Sequence, residues 1–194
     1  RREITIQDLL RHTSGLTYGL FDKSRVDSMY RDANLLSEDQ TLEQQVSKLA
    51  TMPLKHQPGT VWDYSLSVDV LARVVEVITG KTLDIALNEM IFVPLKMNDT
   101  GFWVPSTKLS RLAKSQINPK TGKPFIGSPA NSLPKLLNGG GGLISTASDY
   151  ARFSQMMLNS GELEGARILS RKSIELMTAN HLPPNISFTN AVNF

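Results

Sequence analysis

The side chains able to do chemistry in this 194-residue chain are few and scattered. Its histidines, His12, His56 and His181, have no neighbours at metal-ligand spacing. Cysteine is absent, which excludes a disulfide, a thiolate metal site and a cysteine nucleophile. No G-x-S-x-G elbow occurs, which argues against an α/β-hydrolase. Ser132-Leu133-Pro134-Lys135 is the only literal Ser-x-x-Lys, but Pro134 tolerates only the first turn of a helix and glycines follow it closely. Lys120-Thr121-Gly122 lies between Pro119 and Pro124, where a central strand cannot run, so it reads as a turn. Gly139 to Gly142 lacks the Lys-Ser/Thr ending of a phosphate loop and reads as a close approach of backbone to a packed neighbour. His12 and Ser14 are two apart on a loop and need not face each other. Tyr64 sits in a turn just before a long helix, a rigid place for a phenol, although taken alone it reads as a core or rim tyrosine.

The elements that position these groups are read from caps and periodicity. Thr5-Ile6-Gln7-Asp8, Thr41-Leu42-Glu43-Gln44 and Thr146-Ala147-Ser148-Asp149 match capping boxes. Leu66, Val70, Val74 and Ile78 recur at steps of four with Leu71 and Val75 beside them, a wide stripe that predicts a well-buried helix. On its other face Asp69 and Arg73 stand at i, i+4 and are expected to pair. Gly80 suits the left-handed position past its end. Leu83, Ala86, Leu87, Met90 and Ile91 predict a second helix, stopped by Pro94. Tyr150, Phe153 and Met157 share one face of a third, and Gly161 marks its end. Helices are expected near 6–11, 42–51, 66–79, 83–91, 147–158 and 171–178, with little strand. Residues 101–137 read as a long loop carrying one short helix near 106–113.

Apolar residues make up 40% and charged residues 20%, a globular balance that fits one domain over 1–194. The net charge of +3 is small and scattered, and no run of five like charges occurs, so no nucleic-acid partner is expected. No apolar run approaches a membrane span. The chain opens at Arg1-Arg2-Glu3 and closes at Ala191-Val192-Asn193-Phe194, which reads as an internal piece of a longer protein; the compartment is left open.

Four blocks carry a resemblance. Leu9-Leu10-Arg11-His12-Thr13-Ser14-Gly15-Leu16 resembles "LLxHTSGL", and Pro58-Gly59-Thr60-Val61-Trp62-Asp63-Tyr64-Ser65 resembles "PGxxxxYS". Residues 91–100 resemble "IFxPLGMxxT", and residues 140–153 resemble "GGGLxSTAxDxARF". In this order they resemble the serine β-lactamase and penicillin-binding family, in the branch shared by class C β-lactamases, D-alanyl-D-alanine carboxypeptidases and β-lactamase-like esterases. The resemblance implies the mostly α, helical subdomain of the β-lactamase/transpeptidase-like α+β fold, with the main sheet largely absent from this chain.

It also implies acyl transfer to a serine followed by hydrolysis, with no cofactor. A hydroxyl attacks only if its proton has somewhere to go. In this family a Ser-x-x-Lys supplies the hydroxyl, a Tyr-x-Asn supplies a tyrosine that takes the proton and returns it, and a Lys-Thr-Gly strand faces the substrate. Tyr64 maps onto the catalytic tyrosine. The Asn position is Leu66, which cannot donate a hydrogen bond to an amide; an apolar group beside the acyl chain points to small esters over β-lactams. The family's serine precedes its tyrosine, so Ser132 is a decoy; the serine is expected before Arg1 and the third motif after Phe194. The implied substrates are a small ester, a β-lactam or a D-alanyl peptide, and contact with another copy through the sheet-facing surface stays open. The isolated piece is expected to be inactive. The alternatives are a non-catalytic relative that binds cell-wall peptides, or a helical interaction module.

Overall fold

The computed structural model describes residues 2–122 and 131–186. Among the described residues its regular structure is dominated by seven α-helices: α1 (Ile6–Leu10), α2 (Arg25–Asp32), α3 (Leu42–Leu49), α4 (Ser67–Thr79), α5 (Leu83–Leu87), α6 (Ala147–Leu158) and α7 (Arg171–Met177). α5 runs into a π-helical turn at Asn88–Phe92, and a 3-10 turn spans Ser106–Arg111. Among the described residues the one sheet is a hairpin, β1 (Glu162–Leu163) against β2 (Ala166–Arg167). The mostly helical reading therefore holds. Within the long loop, residues 123–130, including Pro124 and Pro129, lie outside the described residues.

Helix starts follow the local chemistry. Thr5 and Thr41 each accept the N3 backbone N–H, and Asp8 and Gln44 reach back to the cap N–H, completing both boxes. The third box is only half formed. Thr146 accepts from the Asp149 N–H, but the Asp149 carboxylate accepts from the Asp99 N–H at 2.7 Å and the Thr100 hydroxyl at 2.8 Å. A tertiary link has taken the place of the local one. The sequence reading missed α2, although Ser24 and Asp27 form a complete box at its start. Its eight residues are mostly polar, and that sparse apolar pattern hid it.

α4 is the hub, packed against α1, α3 and α5. Leu66, at its N-cap, is 0% exposed and sits with Leu9, Leu16, Tyr30, Leu35 and Leu49 in one core cluster. Ala72 joins Leu42, Leu83, Phe102, Leu136 and Leu137 in a second, and Met156 of α6 joins Phe92, Leu95 and Met97 in a third. Gly80 closes α4 at φ 66°, and its N–H donates to the Glu76 carbonyl. The wide stripe is not buried along its whole length: Val77 is 66% and Ile78 78% exposed. On α6 it is Met156 that is fully buried, while Tyr150 is exposed. The Asp69–Arg73 pair does not form. Arg73 bonds Glu76 at 3.1 Å and Glu43 at 2.9 Å, whereas Asp69 is 1% exposed.

A buried carboxylate anchors the first turn. Asp8 accepts from Arg2 at 2.6 Å, Arg11 at 3.2 Å and the Thr13 hydroxyl at 3.0 Å. The Arg2 contact is the largest reason that its carboxyl titrates far below the usual range. A depressed folded-state pKa gives stability that is present above the unfolded value of about 4 and lost as pH falls below it. Tm is therefore expected to fall as pH is lowered from about 5 toward 2, and Asp8→Asn should flatten that slope while lowering Tm at neutral pH. A variant with an unchanged slope would remove Asp8 from this role.

Candidate active site

Tyr64 is held by two segments laid side by side. The backbone N–H groups of Lys55 and His56 donate to the Gly15 carbonyl at 2.8 and 3.3 Å, that of Gly59 to Thr13 at 2.7 Å and that of Asp63 to His12 at 3.0 Å. Gly15 has φ 84°, and a Cβ there would stand 2.2 Å from the His56 carbonyl oxygen, so no other residue fits. This is the physical use of the His12-Thr13-Ser14-Gly15 block: it clamps the loop carrying Trp62 and Tyr64.

Beneath Tyr64 runs a ladder of small hydroxyls. Ser14 and Ser67 share a hydrogen bond of 2.8 Å, as do Ser65 and Ser67 at 2.9 Å, and all three serines are buried. The Ser65 N–H donates to His12 Nδ1 at 3.3 Å, which puts the proton of the neutral ring on Nε2. Burial pushes the His12 pKa down, and the charge of Asp63 opposes this. The residue after Tyr64 is thus fixed through its backbone and its side chain. On the outer side, Lys55 meets Asp63 at 3.0 Å, Asp22 at 3.2 Å and Asp27 at 3.5 Å. Burial opposes the lysine charge, and the carboxylates outweigh it, holding its pKa above the ordinary value. This ion cluster ties the loop of Tyr64 to residues 17–27.

The Tyr64 ring is half-buried in an aromatic group. It lies 5.0 Å from His12, 5.1 Å from Tyr18, 6.1 Å from Phe21 and 6.4 Å from Trp62 between ring centres, stacked on the last at 20°. Cavities of 640 and 570 Å³ lie elsewhere, one lined by Phe92, Phe102 and Trp103, the other by Leu42, Arg73 and Glu76. Sequence reasoning missed Tyr18, Phe21 and the Lys55 cluster, because no local spacing marks them.

The glycine run reaches this group from a distant part of the chain. A Cβ on Gly139 would stand 2.5 Å from both the Ala72 Cβ and the Val68 carbonyl oxygen, so its backbone rests directly on α4. That is the close approach expected of these glycines.

With this arrangement the comparison with known proteins is direct. The Beta-lactamase family profile matches residues 1–189. This chain belongs to the Beta-lactamase family. It is 38% identical over 185 residues to Protein Rv1367c of Mycobacterium tuberculosis, covering 94% of this chain and 45% of that protein. It is 33% identical over 190 residues to a lovastatin esterase of Penicillium rubens, covering 94% of this chain and 46% of the esterase. The solved structure of simvastatin synthase from Aspergillus terreus superposes with a TM-score of 0.72 at 25% identity, covering 96% of this chain and 44% of the synthase. The chain spans less than half the length of these relatives. The family's members include esterases and penicillin-binding proteins, which are serine hydrolases.

Two of the family's motifs have look-alikes here, and both sit where the sequence reading put them. Ser132 is exposed on a loop and Lys135 donates to the Asp39 carbonyl at 3.1 Å; Lys120 to Gly122 form a turn in which the Gly122 N–H donates to Asn118 at 2.9 Å. Leu66 departs from its expected place. Its side chain is enclosed in the core cluster, so it has no path to a bound acyl group, because the residue that starts the apolar stripe of α4 turns inward. Among the described residues no group of three acidic or histidine side chains could hold a metal.

Proposed function

We propose that this chain is the helical subdomain of a serine hydrolase that forms an acyl-enzyme, and that Tyr64 is its proton-transfer residue. The observation that carries the reading is the seat of Tyr64. Its loop is clamped to the 12–15 segment, its neighbour Ser65 is pinned to His12 and Ser67, and its ring is stacked in an aromatic group ahead of a buried helix. A proton-transfer group must be held in one geometry, and rigid supports of this kind supply that. The acylated serine and the third motif come from parts of the protein outside these residues. In the reaction the Tyr64 phenolate takes the serine proton, becoming the phenol, as the hydroxyl attacks an ester carbonyl. It then hands the proton to the departing alcohol.

The substrate proposed is a small apolar ester. Its support is the aromatic surround of Tyr64 and the esterase among the relatives, and Leu66 plays no direct part. The test is made on the full-length protein containing this chain. It is expected to hydrolyse p-nitrophenyl esters faster than nitrocefin, and to be labelled once per molecule by a fluorophosphonate. The 194-residue piece alone is expected to show neither. No labelling of the full-length protein would favour a non-catalytic peptide-binding relative, and faster nitrocefin turnover would replace the ester by a β-lactam.

A further inference from the structure

Asp69 is a buried carboxylate that the proposed reaction does not use. It is 1% exposed, and neither of its oxygens meets a hydrogen-bond donor in good geometry. A buried carboxylate left unsatisfied is costly to the fold. The N–H groups of Gly139 and Gly140 are close enough to lower its pKa, but burial outweighs them and pushes the carboxyl up. Gly140 has a second neighbour. The point where a Cβ on Gly140 would stand is 2.5 Å from the Tyr18 hydroxyl, 3.2 Å from Asp69 Oδ2 and 3.5 Å from Asn138 Oδ1. Asn138 Oδ1 is also buried without a donor. The missing side chain of Gly140 therefore leaves a small polar cradle in which the Tyr18 hydroxyl and the Asp69 carboxyl converge.

Tyr18 links this cradle to the site. Its ring is 5.1 Å from that of Tyr64. Burial raises its pKa most, and the charge of Asp69 and the contact with Tyr64 raise it further, so it stays a phenol. One hydroxyl proton then has two possible acceptors.

We propose that Asp69 is a positioning residue that sets, through the direction of the Tyr18 hydroxyl, whether Tyr64 receives or gives a hydrogen bond. This rests on the reading of Tyr64 as the proton-transfer residue. When the Asp69 carboxyl is ionised, it draws the Tyr18 O–H, and the Tyr18 oxygen accepts from the Tyr64 phenol. When it is neutral, the Tyr18 O–H turns to Tyr64 and supports an oxygen that is to accept the serine proton. No proton is gained or lost by the tyrosine pair in this exchange, since only the donor changes.

The test is a double-mutant cycle in the full-length protein carrying ring-labelled tyrosine. Tyr18→Phe and Tyr64→Phe assign the two resonances. Asp69→Asn is isosteric and removes a buried charge, so Tm at neutral pH should not fall. In Asp69→Asn the Tyr18 resonance should titrate about one pH unit or more lower, the Tyr64 resonance should shift at neutral pH, and kcat should change more than KM. In the Tyr18→Phe background, Asp69→Asn should leave the Tyr64 resonance and kcat unmoved. An Asp69 effect on Tyr64 that persists undiminished without Tyr18 would mean that the charge acts directly, which overturns the relay. So would a Tyr64 resonance indifferent to Tyr18→Phe, a result that remains readable if Asp69→Asn fails to fold. If Tyr64→Phe leaves hydrolysis intact while the cycle still shows coupling, the catalytic reading of Tyr64 fails and the hydroxyl relay stands.

Discussion

Tyr64→Phe in the full-length protein is expected to lower kcat for ester hydrolysis by about 10²–10⁴-fold, the usual contribution of a positioned proton-transfer group. KM and Tm should be nearly unchanged. The ring is held by Trp62, Tyr18, His12 and Phe21, and phenylalanine keeps every one of those contacts. Only the oxygen is lost, and with it about 3–5 kcal/mol of transition-state stabilisation. The loss falls on both steps of acylation, because the same proton must be taken from serine and then given to the leaving alcohol. A fluorophosphonate reacts with the same serine, so labelling should slow in parallel. Steady-state kinetics on p-nitrophenyl esters, beside a melting curve for each protein, settle the matter. A variant with wild-type kcat would return Tyr64 to the status of a rim tyrosine.

Leu66→Asn is expected to destabilise the fold by about 3–5 kcal/mol and to leave the ratio of ester to nitrocefin turnover where it was. The sequence suggests the reverse, a shift toward β-lactams, and the structure gives the reason for the change. Leu66 is wholly enclosed by Leu9, Leu16, Tyr30, Leu35 and Leu49. Asparagine would lose the buried leucine contacts, leave a gap, and place an amide among aliphatic groups with no partner. One effect works the other way. Asn is a favoured N-cap, α4 has no side-chain cap, and a cap is worth about 1 kcal/mol. The cap bond needs an extended backbone at that residue, whereas Leu66 has φ −62° and ψ 14°. The gain is not available, and the core loss wins. Against a total of about 5–15 kcal/mol the loss is large, and Tm should drop by roughly 10 °C. Urea unfolding measures it. A variant with wild-type stability and faster nitrocefin turnover would put Leu66 back at the substrate.

Both predictions turn on where a side chain points, and this is where sequence and structure part. The caps of α1 and α3, the left-handed end of α4, the turn at Lys120 to Gly122 and the close packing of Gly139 were all legible. Each depends on residues within a few positions, or on the plain fact that glycine has no Cβ. The order of the four blocks was equally legible, and it carried the family. The helix α2 was legible too, in Ser24 and Asp27, but its polar composition masked the signal.

Asp69 shows what was not legible. Along the sequence it stands four residues before Arg73 and looks like half of an exposed pair. Helical spacing fixes which face of α4 it occupies, and nothing nearby tells what lies against that face. In the fold the covering segment is Gly139–Gly140, some seventy residues on, and its lack of side chains lets the backbone close over the carboxyl. Arg73, one turn along, finds Glu76 and Glu43. The inward turn of Leu66 and the meeting of Tyr18 with Tyr64 have the same origin. The sequence by itself determined the family, most of the helices and Tyr64 as the residue to watch, because those follow from local spacing and motif. Only the tertiary structure decided which groups surround Tyr64, because burial and pairing are set by chain segments that meet across long separations, and local rules carry no information about them.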